Sequence, residues 1–265
     1  LIPVDDPDDP RLDDFRGLRL REDRHRDHFV IEGHAAVAEL LQSSYEPRSV
    51  LVLDRKAARI APLIDGVDGV DVPVYVAPES VLRETLGFNL HRGVIASAHR
   101  TSLPDPERLL DQATSIAVLE RLNDHENLGS LFRNARAFGI DAVLLDPQTA
   151  DPLYRRCIRV SMGHALRVPF ARFDKWPDGI DVIQDAGFTI VALTPSPEAM
   201  PIDEVAASRP DKVAVLLGAE GSGLSEDSLA RADMCVRIPM SSNVDSVNVA
   251  TAAAIAFHRL AGSRR

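Results

Sequence analysis

Cysteine is almost absent: Cys157 and Cys235 are the only two in 265 residues. So few exclude a disulfide framework and make a reducing cytoplasm the expected compartment. No apolar run approaches the ~20 residues that span a bilayer, so no membrane association is expected. The acidic, proline-rich start is unlike a secretory signal. Positive charge is also short, with a formal net charge of −10. That argues against a protein coated in positive potential, yet it leaves nucleic acid open, because phosphate affinity is set by local patches of Arg and Lys. What is there is a 45% apolar and 26% charged chain, long enough for one large or two ordinary domains with a real core.

Arginine dominates the basic residues and clusters. Arg16, Arg19, Arg21, Arg24 and Arg26 form one group, and Arg155, Arg156, Arg159 and Arg167 a second. The guanidinium fork suits phosphate oxygens, so both groups are candidate RNA contacts. Solvated surface charge paired with Glu22, Asp23 and Asp27 is the plainer alternative for the first.

Hydrophobic patterning divides the chain. Residues 1–28, with Asp5, Asp6, Asp8 and Asp9 among prolines, read as a mobile N-terminal arm. Residues 29–100 alternate helical and strand patterns: helices over 34–41, 57–64 and 80–86, and strands over 49–53, 72–76 and 93–98. That is a small α/β domain. Residues 101–113, with Pro104 and Pro106, read as a linker. A second α/β series fills 114–265. Strands are expected at 116–120, 142–145, 188–193, 213–217 and 235–238. Helices are expected at 128–138, 153–160 and 246–260. Strands separated by helices imply a mostly parallel sheet. Leu128, Leu131, Phe132, Ala135 and Phe138 make one apolar helix face, stopped by Gly139.

Three polar turns in this second series sit where a strand hands over to a helix, the place where open α/β sheets bind ligands. In the first, Asn127 is placed as a helix N-cap, with Arg133 facing away from the apolar stripe. An arginine near a helix start also makes an anion site. The second, Gly218-Ala219-Glu220-Gly221-Ser222-Gly223, is no phosphate loop, because Leu224 stands where lysine is required. Its glycines allow close backbone approach to a ligand, with Glu220 at the tip. In the third, Pro239 ends a strand and Ser241, Ser242, Asn243 and Asp245 form a polar loop. Ser246 and Asn248 then open a helix, where capping needs only one of them; two such side chains suit a hydroxyl or ribose edge.

Taken together these motifs resemble the SpoU (TrmH-like) branch of the SPOUT RNA 2′-O-ribose methyltransferases. The likeness rests on Asn127-x-Gly129-x-x-x-Arg133-x-Ala135-x-x-Phe138-Gly139, on Leu217-Gly218-Ala219-Glu220-Gly221-x-Gly223, and on Ile238-Pro239-Met240 with Ser246-Val247-Asn248-Val249, in that order. Residues 29–100 resemble, less sharply, an L30e-like RNA substrate-binding domain. The resemblance implies an α/β fold with a deep C-terminal trefoil knot, an exception to the rule against threaded chains. It implies S-adenosyl-L-methionine held by Thr194, Gly218, Ala219, Gly223, Ile238, Met240 and Val247. It places Arg133, Asn127, Glu220, Ser246 and Asn248 at the reaction; because guanidinium hardly deprotonates, Arg133 is read as a clamp on an RNA phosphate, not as the base, which is left open. A homodimer acting on RNA, ribosomal in preference to transfer, is expected, with no metal.

Two departures touch loop shape rather than reacting groups. Asp124-His125-Glu126 precedes Asn127 where the family often has proline, with His125 read as a solvated loop residue in preference to an RNA contact, and Val247 stands where leucine is frequent. A knotted RNA-binding factor without catalysis and a base-nitrogen methyltransferase are the rival readings.

Overall fold

The computed structural model describes residues 1–18, 27–65, 72–208, 210–241 and 246–261. Arg19, Arg21, Arg24 and Arg26, and Ser242, Asn243 and Asp245 of the third turn, lie outside these described residues. The chain divides into two compact units, Leu1–Ser102 with Asp151–Arg167, and Leu103–Ala150 with Val168–Arg265. Among the described residues no helix is long and apolar enough to cross a membrane.

The first unit contains β1 (Ile2–Pro3), β2 (His28–Glu32), α1 (His34–Leu41), β3 (Pro47–Leu53), α2 (Ala57–Asp65), β4 (Val74–Ala77), α3 (Glu79–Leu86) and β5 (Val94–His99). Its sheet runs β1-β4-β3-β5-β2. β1, β4 and β3 pair in parallel, whereas β5 is antiparallel to both β3 and β2. The expected mobile arm needs correction, because residues 1–18 belong to this fold. β1 lies beside β4, and Pro10–Phe15 forms a 3-10 turn whose Leu12 and Phe15 are fully buried with Leu51, Leu82 and Ile95. Asp8, Asp9 and Asp13 are paired as well. Arg11 donates to Asp9 and holds its carboxyl down to about 2, while Arg16 pairs with Asp8 and Asp13. The proline and aspartate content had masked two apolar anchors three residues apart.

The second unit opens with α4 (Pro106–Gln112), inside the stretch expected to be a linker. Asp105 caps it by accepting from Glu107 N–H, Pro106 suits its first turn, and Leu110 is buried. It continues through β6 (Ser115–Glu120), α5 (His125–Phe138) and β7 (Ala142–Leu145). α6 (Arg155–Val160) counts with the first unit, where burial pushes the Cys157 thiol well above its ordinary range. The second unit resumes with β8 (Phe170–Arg172), α7 (Gly179–Asp185), β9 (Thr189–Leu193), β10 (Met200–Pro201), α8 (Ile202–Ser208), β11 (Val213–Gly218), α9 (Glu226–Arg231), β12 (Met234–Arg237) and α10 (Val249–Leu260).

Its seven strands run in the order β10-β12-β9-β11-β6-β7-β8, and every pairing is parallel. β6, β7 and most of β11 are buried throughout, as a sheet covered on both faces requires. β6 and β11 are neighbours, and the connections depart from them in opposite directions. Such a reversal leaves a crevice at the carboxyl ends of the strands.

Candidate active site

Four segments of the second unit, three of them at strand carboxyl ends, line one cavity of about 380 Å³. They are Leu193–Pro195 after β9, Leu217–Gly223 after β11, Val236–Met240 around the end of β12, and Ser246–Ala252 at the start of α10. Every residue expected at the cofactor lines it: Thr194, Gly218, Ala219, Gly223, Ile238, Met240 and Val247. Leu193, Pro195 and Ala252 line it too and were not anticipated. Ala252 stands one helical turn beyond Asn248, so the i, i+4 spacing was the signal for it.

The glycine loop is shaped by its own backbone. A Cβ on Gly218 would lie 2.4 Å from both Gly223 C and Leu224 N, so only glycine fits. Gly223 N–H donates to Ala219 O at 3.0 Å, and Gly221 and Gly223 take φ of 85° and 65°. The turn therefore folds back on itself and projects Glu220 outward. On the opposite wall, Thr194 N–H donates to Val236 O at 2.9 Å and joins the ends of β9 and β12.

The three polar turns meet at Asn248. This residue caps α10, its Oδ1 accepting from Ala250 N–H at 3.0 Å and Thr251 N–H at 3.3 Å. Its Nδ2 donates to Asn127 Oδ1 and to Glu220 Oε1, each at 2.7 Å. One amide thus uses its oxygen for the helix and its nitrogen for the other two turns, which fixes its orientation. Asn127 is free for this contact because it is not the N-cap it was expected to be. Asp124 Oδ1 fills that role, accepting from Glu126 and Asn127 N–H at 2.8 Å each. His125 is correspondingly the first residue of α5 and has an interaction partner, in place of the loose loop position expected. A second tie joins the same helices, with Asn134 Nδ2 donating to Ala250 O at 2.8 Å.

Of the residues expected at the reaction, Asn127, Glu220 and Asn248 are bonded together, and Ser246 lines the cavity beside them. Arg133 does not line the cavity. It is exposed on α5, six residues beyond Asn127, and among the described residues it makes no hydrogen bond or ion pair.

A family model described as the SpoU rRNA Methylase family matches residues 114–258, a span that holds all three turns. The chain belongs to that family. A relative from Mycobacterium tuberculosis, an uncharacterized tRNA/rRNA methyltransferase, is 46% identical over 96% of this chain and 90% of its own length. The 23S rRNA guanosine 2′-O-methyltransferase RlmP of Bacillus subtilis is 27% identical over 95% of this chain and 96% of its own. Among solved structures, an AdoMet-bound rRNA methyltransferase from Sinorhizobium meliloti matches with a TM-score of 0.79 at 24% identity, covering 97% of this chain and 96% of that one. That last likeness is one of fold.

Of the arginines expected to grip RNA, Arg16, Arg155 and Arg156 are described and have internal partners. In the first unit, Arg16 pairs with Asp8 and Asp13, as above. Arg155 Nη1 lies 3.3 Å from the buried Glu32, and its guanidinium stacks 4.6 Å from the Phe88 ring centroid. Arg156 also has a partner. These pairings account for Arg16 and Arg155 without a ligand.

Proposed function

We propose that this SpoU protein is an S-adenosyl-L-methionine-dependent methyltransferase that modifies a ribose 2′-hydroxyl of structured RNA. The observation that carries the reading is the Asn248 bridge, which gathers Asn127 and Glu220 at the edge of a cavity walled by glycine backbone and apolar side chains. Pockets for ligands of drug size commonly have this volume, with few polar groups in an apolar lining. The fit to the methyl donor is good in kind: backbone groups around Gly218 and Gly223 suit a nucleoside, and Ile238, Met240 and Val247 suit its apolar faces. When bound, S-adenosyl-L-methionine supplies an electrophilic methyl group.

The chain's own residues supply position. Asn127 and Asn248 present amides, and Glu220 a carboxylate whose Oε2 has no hydrogen bond among the described residues and is free to accept one from a hydroxyl. Ser246 adds a further hydroxyl beside them. Arg133, exposed and unpaired among the described residues, holds an RNA phosphate so that the sugar oxygen is aligned, and proximity of this kind accounts for much of such a catalyst's effect. The reading includes a threaded C-terminal segment, consistent with α10 packing on α5 and β11. It also includes an L30e-like role for the first unit, a homodimer and a cytoplasmic location.

Ribosomal RNA is the favoured substrate, since RlmP carries that name and a separate first unit suits a folded rRNA element. The test is methylation of total RNA in vitro, followed by digestion to nucleosides and mass spectrometry. A 2′-O-methyl nucleoside in rRNA supports the reading. A methylated base points to the nitrogen-methylating rival, a tRNA product moves the substrate, and no cofactor binding favours a catalytically silent RNA-binding factor.

A further inference from the structure

Glu120 and Arg121 lie at the foot of the glycine loop and take no part in the chemistry above. β6 is apolar from Ile116 to Leu119 yet ends on Glu120, whose side chain is only 2% exposed. Glu120 Oε1 accepts from Ser225 N–H at 3.1 Å and lies 3.1 Å from Arg121 Nη2. The same Nη2 donates to Gly223 O at 3.2 Å. Two adjacent side chains therefore grip the end of the loop at Gly223 and Ser225. Its beginning, Gly218, pairs directly with Glu120 in the sheet register.

This arrangement is costly for folding alone. Arg121 has φ of 55°, a left-handed conformation that glycine would adopt without strain. Glu120 Oε2 and Arg121 Nε are buried without a hydrogen-bond partner among the described residues. An apolar residue and a glycine would serve the turn better if the turn were only a connection. Resting on the methyltransferase reading, we infer that Glu120 and Arg121 are positioning residues that hold the glycine loop in the shape that receives the methyl donor and thereby fix Glu220.

The conformation of Arg121 offers a clean separation of roles. Arg121→Gly, made together with Glu120→Gln so that no buried carboxylate is left without its cation, removes the guanidinium and relieves the backbone, so the melting temperature should hold or rise. Affinity for S-adenosyl-L-methionine, read by calorimetry, should fall about tenfold, the effect of losing roughly one charge-assisted hydrogen bond. Arg121→Lys keeps a cation and should recover part of that loss. Equal affinity in wild type and this double variant overturns the inference while leaving the methyltransferase reading intact. A joint fall of melting temperature and affinity marks a merely structural pair and overturns it too. No binding by the wild-type protein sinks the methyl-donor reading itself, and this inference with it.

Discussion

Asn248 donates its side-chain N–H to Glu220 Oε1 at 2.7 Å, joining the start of α10 to the tip of the glycine loop. Because the same side chain caps the helix through its oxygen, two substitutions separate the two roles. Asn248→Asp keeps the capping acceptor but loses the donor and sets a second carboxylate against Glu220. Methyl transfer should fall at least about a hundredfold, as when positioned polar groups are lost from an active site, with helix stability nearly kept. Asn248→Ala should lose transfer and also about 0.5–2 kcal/mol of stability. Paired thermal melts and turnover assays check both, and full activity in Asn248→Asp would remove the bridge from the mechanism.

Arg133→Ala should leave stability within about 0.5 kcal/mol, because the side chain is exposed and unpaired among the described residues. Affinity for S-adenosyl-L-methionine should hardly change, while methyl transfer is abolished. Calorimetry alongside single-turnover transfer tests this, and wild-type turnover would exclude the arginine.

Gly218→Ala should affect both properties together. The new methyl would stand 2.4 Å from the backbone of Gly223 and Leu224, which cannot move without opening the loop. A loss of about 1–3 kcal/mol is expected from overpacking of this kind, with weakened cofactor binding. Denaturant unfolding and calorimetry on the one variant read the two effects.

Asp141 sets an acid limit on the second unit. Burial opposes its ionisation, but Thr114 and Ser115 donate backbone N–H and hydroxyl bonds to its Oδ2, and together they hold the carboxyl below its ordinary 3.8. A lowered folded-state value means the stabilisation is complete above the unfolded value and is lost as pH falls below about 3.8. Asp141→Asn should melt lower at neutral pH and show a flatter decline in that acid window. Melts between pH 7 and pH 3 on both proteins decide it.

The regular elements were legible in the sequence because their apolar periodicity is strong. α1 falls on residues 34–41 as expected, and α5 shows the stripe and the Gly139 stop read for it, with φ of 72° at that glycine. The sequence did not reveal β8, three residues long, or the short helices α7, α8 and α9, whose few turns carry too little pattern. α4 was read as linker because its prolines outweighed one buried leucine. At the site, the three motifs marked which turns matter, but hydrogen-bond partners needed coordinates. Asn127 had every local sign of an N-cap until Asp124 took that role from three residues upstream. For Arg155 the difficulty was distance: its partner Glu32 lies 123 positions away in sequence. Glu120 ended a buried strand in plain view, and a charge closing an otherwise apolar run was the available sign.

Mass spectrometry of nucleosides from RNA incubated with the protein and methyl-labelled S-adenosyl-L-methionine addresses the central claim most directly. The account predicts label on a ribose 2′-oxygen, present with the wild-type protein and absent with Asn248→Asp. Label on a base nitrogen, or equal ribose labelling by both proteins, would contradict it.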